Sequence, residues 1–286
     1  MLTLLEITND PRTGIRRMLG RLTPPRVDSW MRGAGRTSYL RILAERREGR
    51  MDWRLISKYC LDPSMRIIMP RGENIPAEVC LRRFVPTAFL RRLRENYALS
   101  VLKSSELSPG SRSIAISGQE AEIEQLLPRL VPLVGEVRII TRRAYAIRAA
   151  AEQISEQTGL AIVVTERQDA SNCNILLTPA GGATSIYTKG VNLVVSPDKP
   201  GPNSLFPDTG LWAHTMSISF SNISAQNEPL FEILYDEYSE EYDLLEFAGG
   251  LYEIAGLKEL GRIIPEAALT TAGPKRPEEI VLVNNE

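Results

Sequence analysis

Between residues 113 and 197 the chain switches repeatedly between two hydrophobic periods. Ser113–Ser117, Val137–Thr141, Leu160–Thr165, Asn174–Thr178 and Val191–Ser196 are short, apolar and β-branched, the pattern of strands buried on both faces. Glu120–Val134 and Ala144–Thr158 lie between the first three runs and carry apolar residues at helical spacing. Gly159 stands where a helix C-terminus is expected. Strand-sized runs joined by helices of about four turns predict parallel strands with crossover connections.

The flanking sequence is less regular. The first 35 residues are punctuated by Pro11, Pro24, Pro25, Gly33 and Gly35, with one helical turn expected around Ile15–Leu22. Thr37–Glu48 reads as a short helix with Leu40, Ile42 and Leu43 on its apolar side. Asp52–Leu61 reads as another, capped by Asp52. Met65–Met69 reads as a short buried strand. In Ala88–Ser104, Leu90, Leu93, Tyr97 and Val101 form an apolar stripe opposite Arg91, Arg92, Arg94 and Glu95. Ser108-Pro109-Gly110 marks a boundary. Beyond Pro197, Asp198–Gly210 reads as a loop, Met216–Asn222 as a half-buried strand, Pro229–Phe247 as an acidic helix and Leu251–Ile264 as a further helix. Ile280–Val283 reads as a last edge strand. The organisation expected is therefore an Arg-rich, mainly helical region over 1–110, a Rossmann-like core over 111–200, and a strand plus acidic helices over 201–286. The fold class is α/β: a doubly wound, mainly parallel sheet with helical additions at both ends.

Composition narrows the chemistry. No apolar run approaches the ~18 residues of a membrane span, and Met1–Asp10 lacks the basic start of a signal peptide. Cys60, Cys80 and Cys173 are scattered without metal-site spacing, which points to a reducing cytoplasm, and the single histidine, His214, excludes a multi-histidine metal centre. Residues 1–110 carry 21 Lys and Arg against 11 Asp and Glu, a net of +10; residues 111–286 carry 13 against 24, a net of −11. Of the 21 basic residues, 19 are Arg. Docking of the basic on the acidic part, within the chain or between copies, is the expectation that follows. Nucleic-acid binding through the Arg-rich part is a weaker alternative, because no basic run there exceeds two residues.

In a doubly wound sheet, ligands sit beyond the carboxyl ends of the strands. Candidate cofactor-binding residues are accordingly Gly118 after the first strand, Thr141, Arg142 and Arg143 after the second, and Thr178, Gly181 and Gly182 after the fourth. A basic cluster after the second strand suits the 2′-phosphate of NADP. The Thr178-Pro179-Ala180-Gly181-Gly182 turn resembles the Asn-Ala-Thr-Pro-x-Gly turn of shikimate dehydrogenases. The Thr-Arg-Arg cluster and strand order resemble that family and glutamyl-tRNA reductases; the likeness covers about residues 113–200. The layout is also similar to that of uncharacterised proteins of spore-forming anaerobic bacteria. The resemblance implies NADP as cofactor. It implies no catalytic residue here, since nothing in 1–110 matches the family's lysine and aspartate motifs.

One departure bears on function. Those families place a glycine cluster after the first strand, so that backbone N–H groups meet the diphosphate at a helix N-terminus. Here Gly118 stands alone, followed by Gln119, Glu120 and Glu122. Acidic side chains in a first turn favour the helix, but they repel a diphosphate. The expected function is a non-catalytic ligand-binding or regulatory protein on a degenerate Rossmann-like fold, the alternative an NADP-dependent oxidoreductase with an atypical phosphate loop.

Overall fold

The computed structural model describes residues 2–9, 24–34, 37–47, 49–60, 66–213, 216–218, 242–243, 245–246, 249–250, 269–271 and 281–283. The chain divides into two compact units, Met1–Phe89 with Asn222–Ile263, and Leu90–Ser221 with Ile264–Glu286.

The first unit is built on a five-stranded sheet. Its strands are β1 (Leu2–Asn9), β2 (Val27–Ala34), β3 (Thr37–Arg46), β4 (Arg66–Ile68) and β5 (Arg82–Arg83), in the order β2-β3-β1-β4-β5. Only the β2–β3 pair is antiparallel. The helix expected over Thr37–Glu48 is thus a strand, and the region expected to be mainly helical is a sheet with helix α1 (Trp53–Tyr59) packed on it. The physical reason lies in the pairing. Leu40, Ile42 and Ala44 are buried at period two in one core with Leu5, Val27 and Ile56, and β3 is hydrogen-bonded on both sides, to β1 and β2. Tertiary partners of this kind override local helical spacing. Asp52 does cap α1, its Oδ1 accepting from the Leu55 N–H at 2.9 Å.

Two contacts tie distant sequence together inside this unit. Arg83 Nε donates to Glu246 Oε1 at 2.7 Å, while its other nitrogens donate to the Glu73 and Met69 carbonyls. The Tyr242 hydroxyl, fully buried, donates to the Leu5 carbonyl at 2.5 Å. Burial pushes the Glu246 carboxyl above the ordinary value, with Arg83 pulling the other way.

Helix α2 (Thr87–Ser104) leads into the second unit, so the division falls at Phe89/Leu90 rather than near Gly110. This unit contains β6 (Ser113–Ser117), α3 (Glu120–Leu130), β7 (Glu136–Ile140), α4 (Ala144–Thr158), β8 (Ala161–Thr165), β9 (Ile175–Leu177), β10 (Leu193–Val195) and β11 (Leu211–Ala213). Every pair in the sheet is parallel and the order is β11-β10-β9-β6-β7-β8. Counted from the first strand of the unit, this is the 3-2-1-4-5-6 order of doubly wound dinucleotide-binding folds. The unit is a Rossmann-type fold.

Its two halves are clothed differently. Between the strands of the first half run α3 and α4. In the second half the crossovers contain only short 3-10 turns, Ala183–Ser185 and Pro202–Ser204. Ala170, Cys173, Ala183, Ile186 and Val191 from these connections form a core with Ala115, Ile140, Leu176 and Val194 of the sheet. Cys173 is a small core residue, its thiol pushed up to about 11 by burial. Strand β11, which follows the expected Asp198–Gly210 loop, extends the sheet by one strand. Met216–Ile218 forms β12, antiparallel to β13 (Leu269–Thr271). The edge strand expected at Ile280–Val283 is not formed in residues 281–283. That segment is held by side chains instead, Asn174 Nδ2 donating to the Val283 carbonyl at 2.8 Å. Of the acidic helix expected over Pro229–Phe247 only residues 242–243 and 245–246 are described, and His214 and the helix expected over Leu251–Ile264 lie outside the described residues.

Candidate functional site

The strand order reverses between β6 and β9, which places the turn after β6 and the turn after β9 side by side at the carboxyl edge. Both turns are occupied by the chain's own charges. At the first, Glu120 and Glu122 stand in the opening turn of α3, and no side chain caps the helix at Gln119. Glu122 folds back over the turn: its Oε2 lies 3.7 Å from the point where a Cβ on Gly118 would be. Its Oε1 accepts a hydrogen bond from Arg91 Nη1 of α2 at 2.5 Å. Gly118 itself has no left-handed φ, and a Cβ there would make only ordinary contacts. A dinucleotide turn needs glycine for close approach of the diphosphate; this turn does not need it.

At the second turn the left-handed backbone is real. Gly181 and Gly182 have φ of +106° and +104°, which side chains rarely adopt. Their turn directs N–H groups towards one point, and the carboxylate of Asp198 is there. Both Asp198 oxygens accept from the Gly182 N–H at 3.0 Å, and Oδ2 also accepts from the Thr184 N–H at 3.3 Å. The Ser196 hydroxyl donates to Oδ1 at 2.8 Å. Partial burial pushes the Asp198 carboxyl up, but the Ser196 hydroxyl and the Thr184 and Gly182 N–H groups more than offset it. The carboxyl therefore titrates below the ordinary aspartate value. Arg94 closes the back of this turn by donating to the Pro179 carbonyl at 2.8 Å. Burial lowers its pKa, while the nearby Asp198 charge raises it.

The remaining candidates divide into two kinds. Thr141 is buried, and its hydroxyl accepts from the Arg143 N–H at 3.2 Å, shaping the turn into α4. Thr178 is fully buried with its N–H on the Val195 carbonyl; its Oγ1 has no hydrogen-bond partner among the described residues. Arg142 and Arg143 are exposed, and no ion pair or side-chain hydrogen bond engages either guanidinium among the described residues. No side chain caps the N-terminus of α4 beside them, and its first turn has no acidic residue. The sheet therefore brings Gly118, Thr178, Gly181 and Gly182 to one edge, with Thr141, Arg142 and Arg143 one strand further along.

Asp198, Arg91 and Arg94 were not foreseen as site residues. The arginines of α2 read as a solvated face, yet Arg91 and Arg94 are partly buried against α3 and the β9 turn. Arg92 and Arg129 meet Glu95 below them, and Arg129 also donates to Asn96 Oδ1 at 2.5 Å. The Ser196-Pro197-Asp198 sequence directly after β10 was the available signal for the carboxylate.

No protein-family model matches the chain, and no curated protein matches it. Among solved structures, an L-tryptophan dehydrogenase from Nostoc punctiforme is similar, at 14% identity and a TM-score of 0.33, over 79% of this chain and 75% of that one. The strand order of the six-stranded sheet gives the fold. Among the described residues no helix is long and apolar enough to cross a membrane, and no group of three His, Cys, Asp or Glu is placed to hold a metal ion.

Proposed function

We propose that this protein is a non-catalytic ligand-binding or regulatory protein whose Rossmann-type unit has its diphosphate position closed by its own carboxylates. The observation that carries the reading is Glu122, held over Gly118 by Arg91. A diphosphate entering at the α3 N-terminus would meet this carboxylate beside Gly118, and binding there would have to part Glu122 from Arg91 or sit against its charge, a cost of about 1 kcal/mol for a pair this exposed. Asp198 repeats the arrangement at the β9 turn, where the N–H groups are already engaged.

A second reading has one observation in its favour. Arg142 and Arg143 are exposed and, among the described residues, unengaged at the end of β7, the place where an NADP-binding protein holds the 2′-phosphate. The likeness of Thr178–Gly182 to the shikimate dehydrogenase turn points the same way. This reading makes the protein an NADP-dependent oxidoreductase with an atypical phosphate loop.

Calorimetric titration with NADPH, NADH and NADP⁺ separates the two. The first reading expects no saturable heat up to about 1 mM ligand, an affinity near −4 kcal/mol. Micromolar NADPH binding that disappears in an Arg142→Ala/Arg143→Ala variant would replace it with the second.

A further inference from the structure

We propose that the outer edge of the six-stranded sheet is a homodimer interface, in which β8 pairs antiparallel with β8 of a second copy about a two-fold axis at Val163. The inference is independent of what the crevice binds.

Strand β8 is the last in the sheet order and, among the described residues, pairs only with β7, in unbroken register from Glu136↔Ala161 to Ile140↔Thr165. Its sequence, Ala-Ile-Val-Val-Thr, contains no charge and no proline, and the register has no bulge. Ala161 is exposed, and Val163 is 47% exposed. Soluble proteins ordinarily protect such an edge with a charge, a proline or a bulge, because its free backbone groups recruit another strand. None of those devices is present in β8.

The surroundings select a second copy as the occupant. A two-fold contact requires a patch complementary to itself. About Val163, antiparallel pairing sets Ile162 of each copy opposite Val164 of the other, giving β-branched pairs on both sides of the axis. Ile162 and Val164 also form the apolar floor of a groove of about 230 Å³, whose wall is Arg148, Glu152 and Glu156 of α4. Gly159 reverses the chain between α4 and β8, so the helix runs against the strand. Arg148 and Glu156 stand one helical turn to either side of Glu152, about 6 Å each way along the axis. The groove runs from Arg148 to Glu156 on the helix and from Ile162 to Val164 on the strand, which centres it on Glu152 and Val163, so the two-fold brings Arg148 of each copy level with Glu156 of the other and gives two opposite-charge pairs. The two Glu152 side chains meet near the axis, each four residues from an Arg148 on its own helix.

Sedimentation of the full chain from about 1 to 100 µM, the range of micromolar association, reads the equilibrium. The wild type is expected to dimerise. Val163→Lys sets two like charges on the axis and should weaken the dimer by at least about tenfold with an unchanged circular dichroism spectrum. Arg148→Glu should also weaken it, and Arg148→Glu/Glu156→Arg should restore it, because the swap preserves the symmetric pairing. Glu152→Gln should tighten it. A wild type monomeric at about 100 µM, as it would be if some other segment or protein covers this edge, overturns the proposal. So does a dimer indifferent to Val163→Lys. A dimer that responds to Val163→Lys but not to Arg148 reversal overturns the two-fold register.

Discussion

Arg91 Nη1 and Glu122 Oε1 lie 2.5 Å apart, joining α2 to the first turn of α3 directly beside Gly118. The pair does two things at once. It fixes a carboxylate where a dinucleotide's diphosphate would approach, and it joins the helix that enters the Rossmann-type unit to the first crossover. Both partners keep about a third of their side-chain surface, 31% and 28%, so the stabilisation is modest. Glu122→Ala is expected to lower stability by about 0.5–1 kcal/mol, read as a small fall in Tm.

The two glycine positions are expected to respond oppositely. Gly182→Ala forces a side chain into φ +104° and should cost more than about 1 kcal/mol. Gly118→Ala meets nothing closer than 3.7 Å in ordinary backbone geometry and should be neutral to within about 0.5 kcal/mol. Chemical denaturation of the two variants provides the check. A Gly118→Ala loss larger than that of Gly182→Ala would mean that the β6 turn is under a constraint it does not display.

Asp198 carries a pH dependence of definite sign. Its folded carboxyl titrates below the ordinary value because, against partial burial, the Ser196, Thr184 and Gly182 donors favour the charged form. Its contribution is therefore complete above the unfolded aspartate pKa, about 3.9, and is lost as pH falls through the lower folded value. Asp198→Asn should cost about 1 kcal/mol at neutral pH, because a neutral amide replaces the charged acceptor of the Gly182, Thr184 and Ser196 donors. The gap between wild type and variant should close as the pH falls below about 4. A Tm difference that stays constant from neutral pH to strong acid would contradict this.

Within the first unit, Arg83 answers the Glu246 carboxylate and two backbone carbonyls. Arg83→Met leaves Glu246 partly buried without its partner and should cost about 2–3 kcal/mol at neutral pH. Burial holds the Glu246 carboxyl above the ordinary value. The group thus binds its proton more tightly folded than unfolded, and the variant should recover stability as the pH is lowered through that raised value. The double variant Arg83→Met/Glu246→Gln should be less destabilised than Arg83→Met alone.

Much of the second unit was legible because its strands are short β-branched runs and its helices have a clear apolar stripe. Gly159, at φ +73°, ends α4 where the sequence places a helix C-terminus. The first unit was less legible. Leu40, Ile42 and Leu43 fit a helical period as well as a strand period, and what decides between them is pairing with Leu2–Asn9 and Val27–Ala34, far away in sequence. Strand β11 is only three residues long and carries no alternation to detect. In the candidate site, the glutamates after Gly118 announced the conflict with a diphosphate. The sequence could not show that Glu122, rather than Glu120, covers Gly118. Nor could it join Asp198 to Gly182, because sixteen residues separate them and only the adjacency of β9 and β10 brings them together.

The occupied crevice is tested most directly by following individual backbone amides while NADPH is added. In two-dimensional NMR spectra of the full chain, the Gly118, Gly182 and Thr184 amides are expected to hold their shifts up to about 1 mM NADPH, a concentration corresponding to binding of only about −4 kcal/mol. Saturable shifts of those three amides at micromolar NADPH would show a diphosphate entering where Glu122 and Asp198 stand, and would contradict the account.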